Sequence, residues 1–361
     1  MSETSLTEPL KLPKGNHLVL SSSPHICASD NVRKIMYKVL LALLPTVLAG
    51  IWLFGLRALL VIVTTSVACV GIEALWCRLA GKPVKKTILD GSALLTGVIL
   101  ALNLPASVPW YIPIIGAVLA IVLGKQVYGG LGHNPFNPAV VARVGLLIAF
   151  PAAMTVWMPT RGMTESEKCA VYFSEGITTT CATPIGVAGM AVLDPASPDR
   201  QTLELLDSPQ MWWSYVIGKR SGCIGEVFVP ALLLGGLLLV GFKLINWRIP
   251  VFFVGTVAVI SAIAYYCSHG ITLSPAFHIL TGGLLLGAIF MATDMVTSPI
   301  TNAGAIAFAI GCGIITSLIR LWGNYPEGVS FAILFMNALV PLLDRWFASR
   351  PFGYALKRER K

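Results

Sequence analysis

The chain has 361 residues, 55% of them hydrophobic and only 12% charged, with a mean hydropathy of +0.77. A soluble domain carries about 25% charged residues, so this composition excludes one and predicts an all-α integral membrane protein, long enough for about ten spans of ~20 residues. Lys and Arg number 26 against 17 Asp and Glu, a net charge of +9; on so apolar a background this excess predicts a positive-inside bias, not a nucleic-acid partner.

Residues 1–34 are polar and carry Pro9, Pro13 and Pro24, which predicts an exposed tail and no cleavable signal peptide. Five apolar spans are then expected near 35–54, 58–76, 92–104, 110–127 and 138–157, forming a first unit over 35–157. A polar stretch, 158–224, separates them from a second unit over 225–346. Its spans are expected near 227–244, 250–267, 277–293, 302–321 and 329–346, followed by a basic tail, 347–361. The third and eighth spans are short and interrupted by glycine.

Placing the amino terminus inside puts 19 of the 26 basic residues on the inner side, including the terminal cluster Arg358, Arg360 and Lys361. Most of the remainder fall in the 158–224 stretch, a long loop in which the rule is weak. Both termini are therefore expected in the cytoplasm, with 158–224 outward. Trp52, Trp76, Trp110, Trp157, Trp247, Trp322 and Trp346 fall at span ends, where interfacial belts are expected.

The run Leu-Leu-Thr-Gly-Val-Ile-Leu-Ala-Leu at 94–102 resembles Ile-Leu-Thr-Gly-Gly-Leu-Leu-Leu-Gly at 279–287. Each belongs to the third span of its unit. Two five-span units in series must have opposite orientation, so the expectation is a pair of inverted repeats with a central site near the interrupted spans.

Tyr-Gly-Gly-Leu-Gly-His-Asn-Pro-Phe-Asn-Pro at 128–138 joins the fourth and fifth spans. Its glycines permit close backbone approach. Asn134 and Asn137 offer amides that would pair with a ring carrying donors and acceptors on one edge; the plainer alternative is a tight turn whose asparagines cap the fifth helix. Lys125 and Arg143 flank this turn, either to neutralise an anion or as inside-positive anchors. Asp294, at the end of the eighth span, either binds a cation or ligand edge or caps a helix. Glu73 lies on an ion path, or else snorkels or pairs with Arg78.

The polar stretch contains Thr-Thr-Thr-Cys-Ala-Thr-Pro at 178–184. Thr183 before Pro184 reads as a helix N-cap or as a hydroxyl presented for modification. Eight cysteines include no C-x-x-C pair, so no iron–sulfur or zinc site made by this chain is expected; a disulfide among Cys169, Cys181 and Cys223 stays open. No hydrolytic triad or phosphate loop is present. From the residues alone, a channel or secondary transporter of the inverted-repeat kind, without a redox cofactor, remains a second reading.

The 128–138 run, Asp-Gly-Ser-Ala-Leu-Leu-Thr-Gly at 90–97, Ala-Thr-Pro at 182–184 and Gly-Asn-Tyr-Pro-Glu-Gly-Val at 323–329 together resemble RnfD, the D subunit of the Rnf electron-transport complex. That family is similar to the B subunit of the sodium-pumping NADH:quinone reductase. The resemblance covers roughly 20–355. It implies a ten-span subunit of the bacterial inner membrane, working with subunits A, B, C, E and G to pass electrons between ferredoxin and NAD while moving Na+ or H+. It also implies FMN esterified through its phosphate to Thr183, within a motif comprising Thr180, Cys181, Ala182 and Pro184. The family has Asp six residues before that threonine; here the position is Ile177, and Glu175 is the nearest acid. A second, non-covalent flavin of the riboflavin kind is implied near the midplane, beside Asn134, Asn137 and Asp294.

Overall fold

The computed structural model describes residues 31–163, 183–192, 200–268, 272–323 and 327–348, and these are all helical apart from their connections. Helices α1 (Val32–Phe54) and α2 (Leu56–Leu79) form a hairpin that turns at Gly55. Gly55 takes φ +69°, and its N–H caps α1 by donating to Ile51 O at 2.8 Å, a left-handed exit that glycine adopts without strain. Then come α3 (Val84–Ile88), α4 (Ser92–Leu102), α5 (Tyr111–Gln126), α6 (Pro138–Ala149) and α7 (Pro151–Met154). The second half of α5, Leu119–Gln126, is a π-helix.

Helices α8 (Pro184–Val192), α9 (Arg200–Leu206) and α10 (Pro209–Ile217) precede the second apolar series. That series consists of α11 (Val229–Gly241), α12 (Arg248–Cys267), α13 (Pro275–Leu280), α14, α15 (Asn302–Trp322) and α16 (Val329–Trp346). Here α14 is the turn Leu284–Leu286 continued by the π-helical Gly287–Met291.

Five helices, α1, α2, α12, α15 and α16, are long and apolar enough to cross a membrane, and α4, α5, α6 and α11 are shorter apolar helices. The chain is a multi-pass membrane protein. In hydrocarbon every backbone polar group must be satisfied within the segment, which is why apolar runs of this length become helices.

Helix α2 packs on α4 and α5, and α5 on α6; α12 packs on α13 and α15, and α15 on α16. The two series meet where α1 lies on α11 and α6 on α16. Small residues bring the backbones together. A Cβ on Gly97 would meet Ser66 Cα at 2.8 Å, and one on Gly235 would meet Ala42 O at 2.5 Å and Phe290 Cζ at 2.7 Å.

The structure departs from the expectations at the fifth span, at the eighth span and at Trp157. The fifth span stops at Ala149, because Phe150 precedes Pro151 and leaves the helical region, at φ −132° and ψ 56°. The eighth is split at 281–283. Consequently the two similar runs differ in conformation: 94–102 lies wholly within α4, while 279–287 straddles the break. Trp157 is buried at 5% exposure, whereas Trp52, Trp110, Trp247, Trp322 and Trp346 are at least half exposed. Trp157 therefore packs inside the body and is no belt residue.

Candidate functional site

A cavity of about 850 Å3, counted with its open mouth, lies between the two helical series. Its walls come from α1 (Ile35, Val39), α4 (Ser92, Thr96, Ile99), Lys125 of α5, the 128–138 turn, the end of α11 (Leu239) and the segment 290–296. Asn134, Asn137 and Asp294, distant in sequence, all line it. Like small-ligand pockets, it has mostly apolar walls and few polar groups.

Asn137 has two structural duties. Its Oδ1 accepts from Ala139 N–H at 3.0 Å, capping α6, and its Nδ2 donates to Met291 O at 3.1 Å, tying that cap to the last turn of α14. Asn134 donates from Nδ2 to Phe136 O at 3.0 Å, but its buried Oδ1 has no hydrogen-bond partner. A buried acceptor without a donor costs roughly 1–3 kcal/mol, so the cavity suits an occupant that presents a donor there. Asp294 accepts from Thr297 Oγ1 at 3.2 Å. It caps only its own turn, since α15 is capped by Thr301 Oγ1, which accepts from Gly304 N–H at 3.1 Å.

Lys125 and Glu73 are neither membrane anchors nor snorkelling groups. Both are buried, and Lys125 Nζ pairs with Glu73 Oε1. Gln126 Nε2 donates to the same oxygen at 2.8 Å, and Lys125 Nζ donates to Ser92 Oγ at 2.6 Å. The expected alternative, pairing of Glu73 with Arg78, is thereby replaced by a contact between helices. Arg143 is equally buried and pairs with Glu327, which precedes α16.

Thr183 is 5% exposed and stands immediately before α8. Its Oγ1 accepts from Gly186 N–H at 3.1 Å and its carbonyl accepts from Val187 N–H at 3.0 Å. The N-cap geometry is thus present, with Pro184 at the first helical position. The hydroxyl faces the positive end of a nine-residue helix, where a phosphoryl group is electrostatically favoured. Thr180, Cys181, Ala182 and Ile177 lie outside the described residues. Ile185, Val187 and Ala188 pack with Leu203, Leu206, Tyr215, Leu273 and Phe277. Helix α8 therefore sits beside the start of α13, while the cavity lies at the far end of α14.

Between these ends lies a charged cluster that the sequence did not reveal. Arg220 donates to Leu280 O and Glu226 O; Arg320 donates to His278 O at 2.6 Å and Thr281 O at 3.3 Å. These guanidinium groups satisfy the carbonyls that the end of α13 leaves orphaned. Gly282, at φ +69°, fits where a Cβ would meet Arg320 Nη2 and Ile185 Cδ1, each at 2.7 Å. The segment ahead of α11 does the same for α4: Gly225 N–H donates to Leu102 O at 2.8 Å and Cys223 Sγ to Asn103 O at 3.2 Å. Charged residues at span edges were the available signal, but their partners are separated by up to 184 positions in the chain.

Cys223, Glu226 and Glu327 bring a thiol and two carboxylates within 4.8 Å of one another. Arg143 already pairs with Glu327 in that group and donates to Cys223 Sγ at 3.4 Å. With Arg220 and Arg320 alongside, three guanidinium groups outnumber the two carboxylates, so a metal ion would add charge of the wrong sign. Burial, reinforced by Glu327, holds the Glu226 carboxyl above the usual carboxylate range, with Arg220 opposing. Cys223 is not disulfide-bonded; Cys169 and Cys181 lie outside the described residues.

The pattern of a family described as NQR2, RnfD, RnfE matches residues 19–353. The D subunit of the ion-translocating oxidoreductase complex of Stutzerimonas stutzeri is 43% identical over 332 residues, covering 90% of this chain and 93% of its own. The D subunit of the proton-translocating ferredoxin:NAD(+) oxidoreductase complex of Clostridium ljungdahlii is 42% identical, covering 94% and 97%. Its Na(+)-translocating counterpart from Acetobacterium woodii is 40% identical, covering 96% and 98%.

Proposed function

The chain belongs to the NQR2, RnfD, RnfE family, and from that premise we propose that it is the RnfD-type membrane flavoprotein of an ion-translocating ferredoxin:NAD+ oxidoreductase. It works as a translocase subunit in the bacterial inner membrane beside subunits A, B, C, E and G, is not catalytic alone, and couples electron transfer to Na+ or H+ movement. Both termini face the cytoplasm. The body is a ten-span pair of inverted five-span units, and the matching packing of α2 on α4 and α5 and of α12 on α13 and α15 supports that arrangement.

FMN is held covalently at Thr183 and a second flavin, riboflavin, without a bond in the cavity. These cofactors supply electron carriage when bound; the chain supplies position, polarity and exclusion of water. Thr183 offers its hydroxyl at the amino end of α8, where the first-turn N–H groups favour phosphoryl oxygens. A tether keeps the local concentration high whatever the redox state. Asn134 offers its unpartnered Oδ1 to a ring N–H, and Asn137 fixes the turn that carries it. Thr183 would hold the FMN that takes electrons from a partner at the outward side, and the chain would pass them towards the cytoplasmic side.

The observation that carries this reading is the convergence of Asn134, Asn137 and Asp294 on one cavity, with an orphaned acceptor among them. The test of the covalent site is a denaturing gel viewed under ultraviolet light, using protein from cells that flavinylate other proteins. A fluorescent wild-type band, retained in Thr183→Ser and abolished in Thr183→Ala, is expected. A dark wild-type band defeats the covalent assignment and leaves either a transporter or a subunit in which Ile177 has cost the attachment.

A further inference from the structure

Lys125 joins two systems that are otherwise separate. On one side it lines the cavity together with Ser92. On the other its ammonium binds Glu73, a carboxylate with no exposed surface. The π-helical second half of α5 turns consecutive residues inward, so that Lys125 and Gln126 both reach Glu73 Oε1; π-helical segments concentrate at functional positions.

Two further observations give this junction a direction. Glu73 Oε2 is buried and has no hydrogen-bond partner, so the carboxylate keeps acceptor capacity for another positive group. Ser92, which accepts from Lys125 at 2.6 Å, donates in turn to Asp90 Oδ1 at 2.6 Å. Asp90 is half-buried at the start of α4. A polar line thus runs from a partly exposed carboxylate through Ser92 and Lys125 to a fully enclosed one.

Resting on the cavity holding a flavin, we propose that Lys125 is a charge gate that couples the cavity to cation uptake at Glu73. A flavin gains negative charge on reduction. Lys125 then swings its ammonium from Glu73 towards the cavity, a movement that its flexible four-carbon stem and three donors allow. In so enclosed a place Coulomb forces are only weakly screened, and a bare buried carboxylate is costly. Glu73 therefore takes one monovalent cation by way of Asp90, using Oε2. Charge balances at each stage: one electron enters the cavity and one cation enters at Glu73. When the electron leaves, Lys125 returns and displaces the cation.

The experiment uses the purified whole complex carrying wild-type chain, Lys125→Met, Lys125→Arg or Glu73→Gln. Flavin released without covalent attachment is counted first. The midpoint potential of that flavin is then measured by spectroelectrochemistry, with Na+ and pH varied separately. For wild type, one cation per electron predicts a rise of about 59 mV per tenfold increase in whichever cation is taken up. Glu73→Gln keeps the flavin and loses this dependence. Lys125→Met also loses it and makes the reduced form harder to reach, while Lys125→Arg preserves the dependence. A merely structural lysine would shift the potential without removing its cation dependence.

The gate is overturned if Lys125→Met or Glu73→Gln retains both the flavin and the full dependence, or if wild type responds to neither cation. Should Lys125→Met fail to assemble, Glu73→Gln and Lys125→Arg still decide. A wild-type complex with no releasable flavin overturns the cavity assignment itself, a distinct failure.

Discussion

Asn137 shows how one amide can serve two structural contacts at once. Its amide oxygen caps α6 and its amide nitrogen holds Met291 O. Asn137→Asp keeps the cap but loses the donor and sets a carboxylate against a carbonyl; thermal unfolding should show a loss of about 1–3 kcal/mol. Asn137→Ser should keep the cap and lose less. Glu226 makes a prediction of opposite character. Its folded pKa is raised, so its contribution to stability is present at acid pH and is lost as pH climbs above the ordinary carboxylate range. The melting temperature of the solubilised protein should fall across that rise, and Glu226→Gln should flatten the dependence. A melting temperature that increases over the same interval would contradict the assignment. The residue types at Thr183, Asn134 and Glu73 were legible as chemistry. That Glu73 would find Lys125 was not, because the pair is 52 positions apart and joins separate helices.

Among the elements, the long helices lie where apolar runs placed them, since a lipid environment offers such runs one hydrogen-bonding solution. The division of α13 from α14 was harder to read. Gly282 and Gly283 permit it, but its exposed carbonyls are tolerable only because Arg220 and Arg320 arrive from elsewhere in the chain. The early end of α6 had a local signal in Pro151, which the run of apolar residues obscured. Close helix contacts give a direct test. Gly97→Val would drive a side chain into Ser66 Cα, and overpacking of this kind costs about 1–3 kcal/mol. Gly71→Ala on the neighbouring α2 meets nothing within 4 Å. It should leave the melting temperature unchanged or raise it slightly, through a gain in helix propensity of up to ~1 kcal/mol. Equal effects of the two substitutions would show that α2 and α4 do not pack as described.

For the whole molecule, composition established membrane residence at once, because its 12% charged residues are about half the share of a typical soluble domain. It could not reveal how the charges that remain are spent. Glu73, Lys125, Arg143, Arg220 and Glu226 are withdrawn from solvent, whereas a count of basic residues by side treats Lys125, Arg143 and Arg220 as surface markers. Lys125 and Arg143 in particular contribute to that count without contacting a headgroup.

The bond from Asn137 to Met291 O ties the mouth of one helix to the tail of another across the seam between the two series. A pull on the asparagine turn is therefore felt by α14, and a shift of α14 is felt by the turn. An occupant that displaced the turn would thereby displace α14 as well, through that one amide.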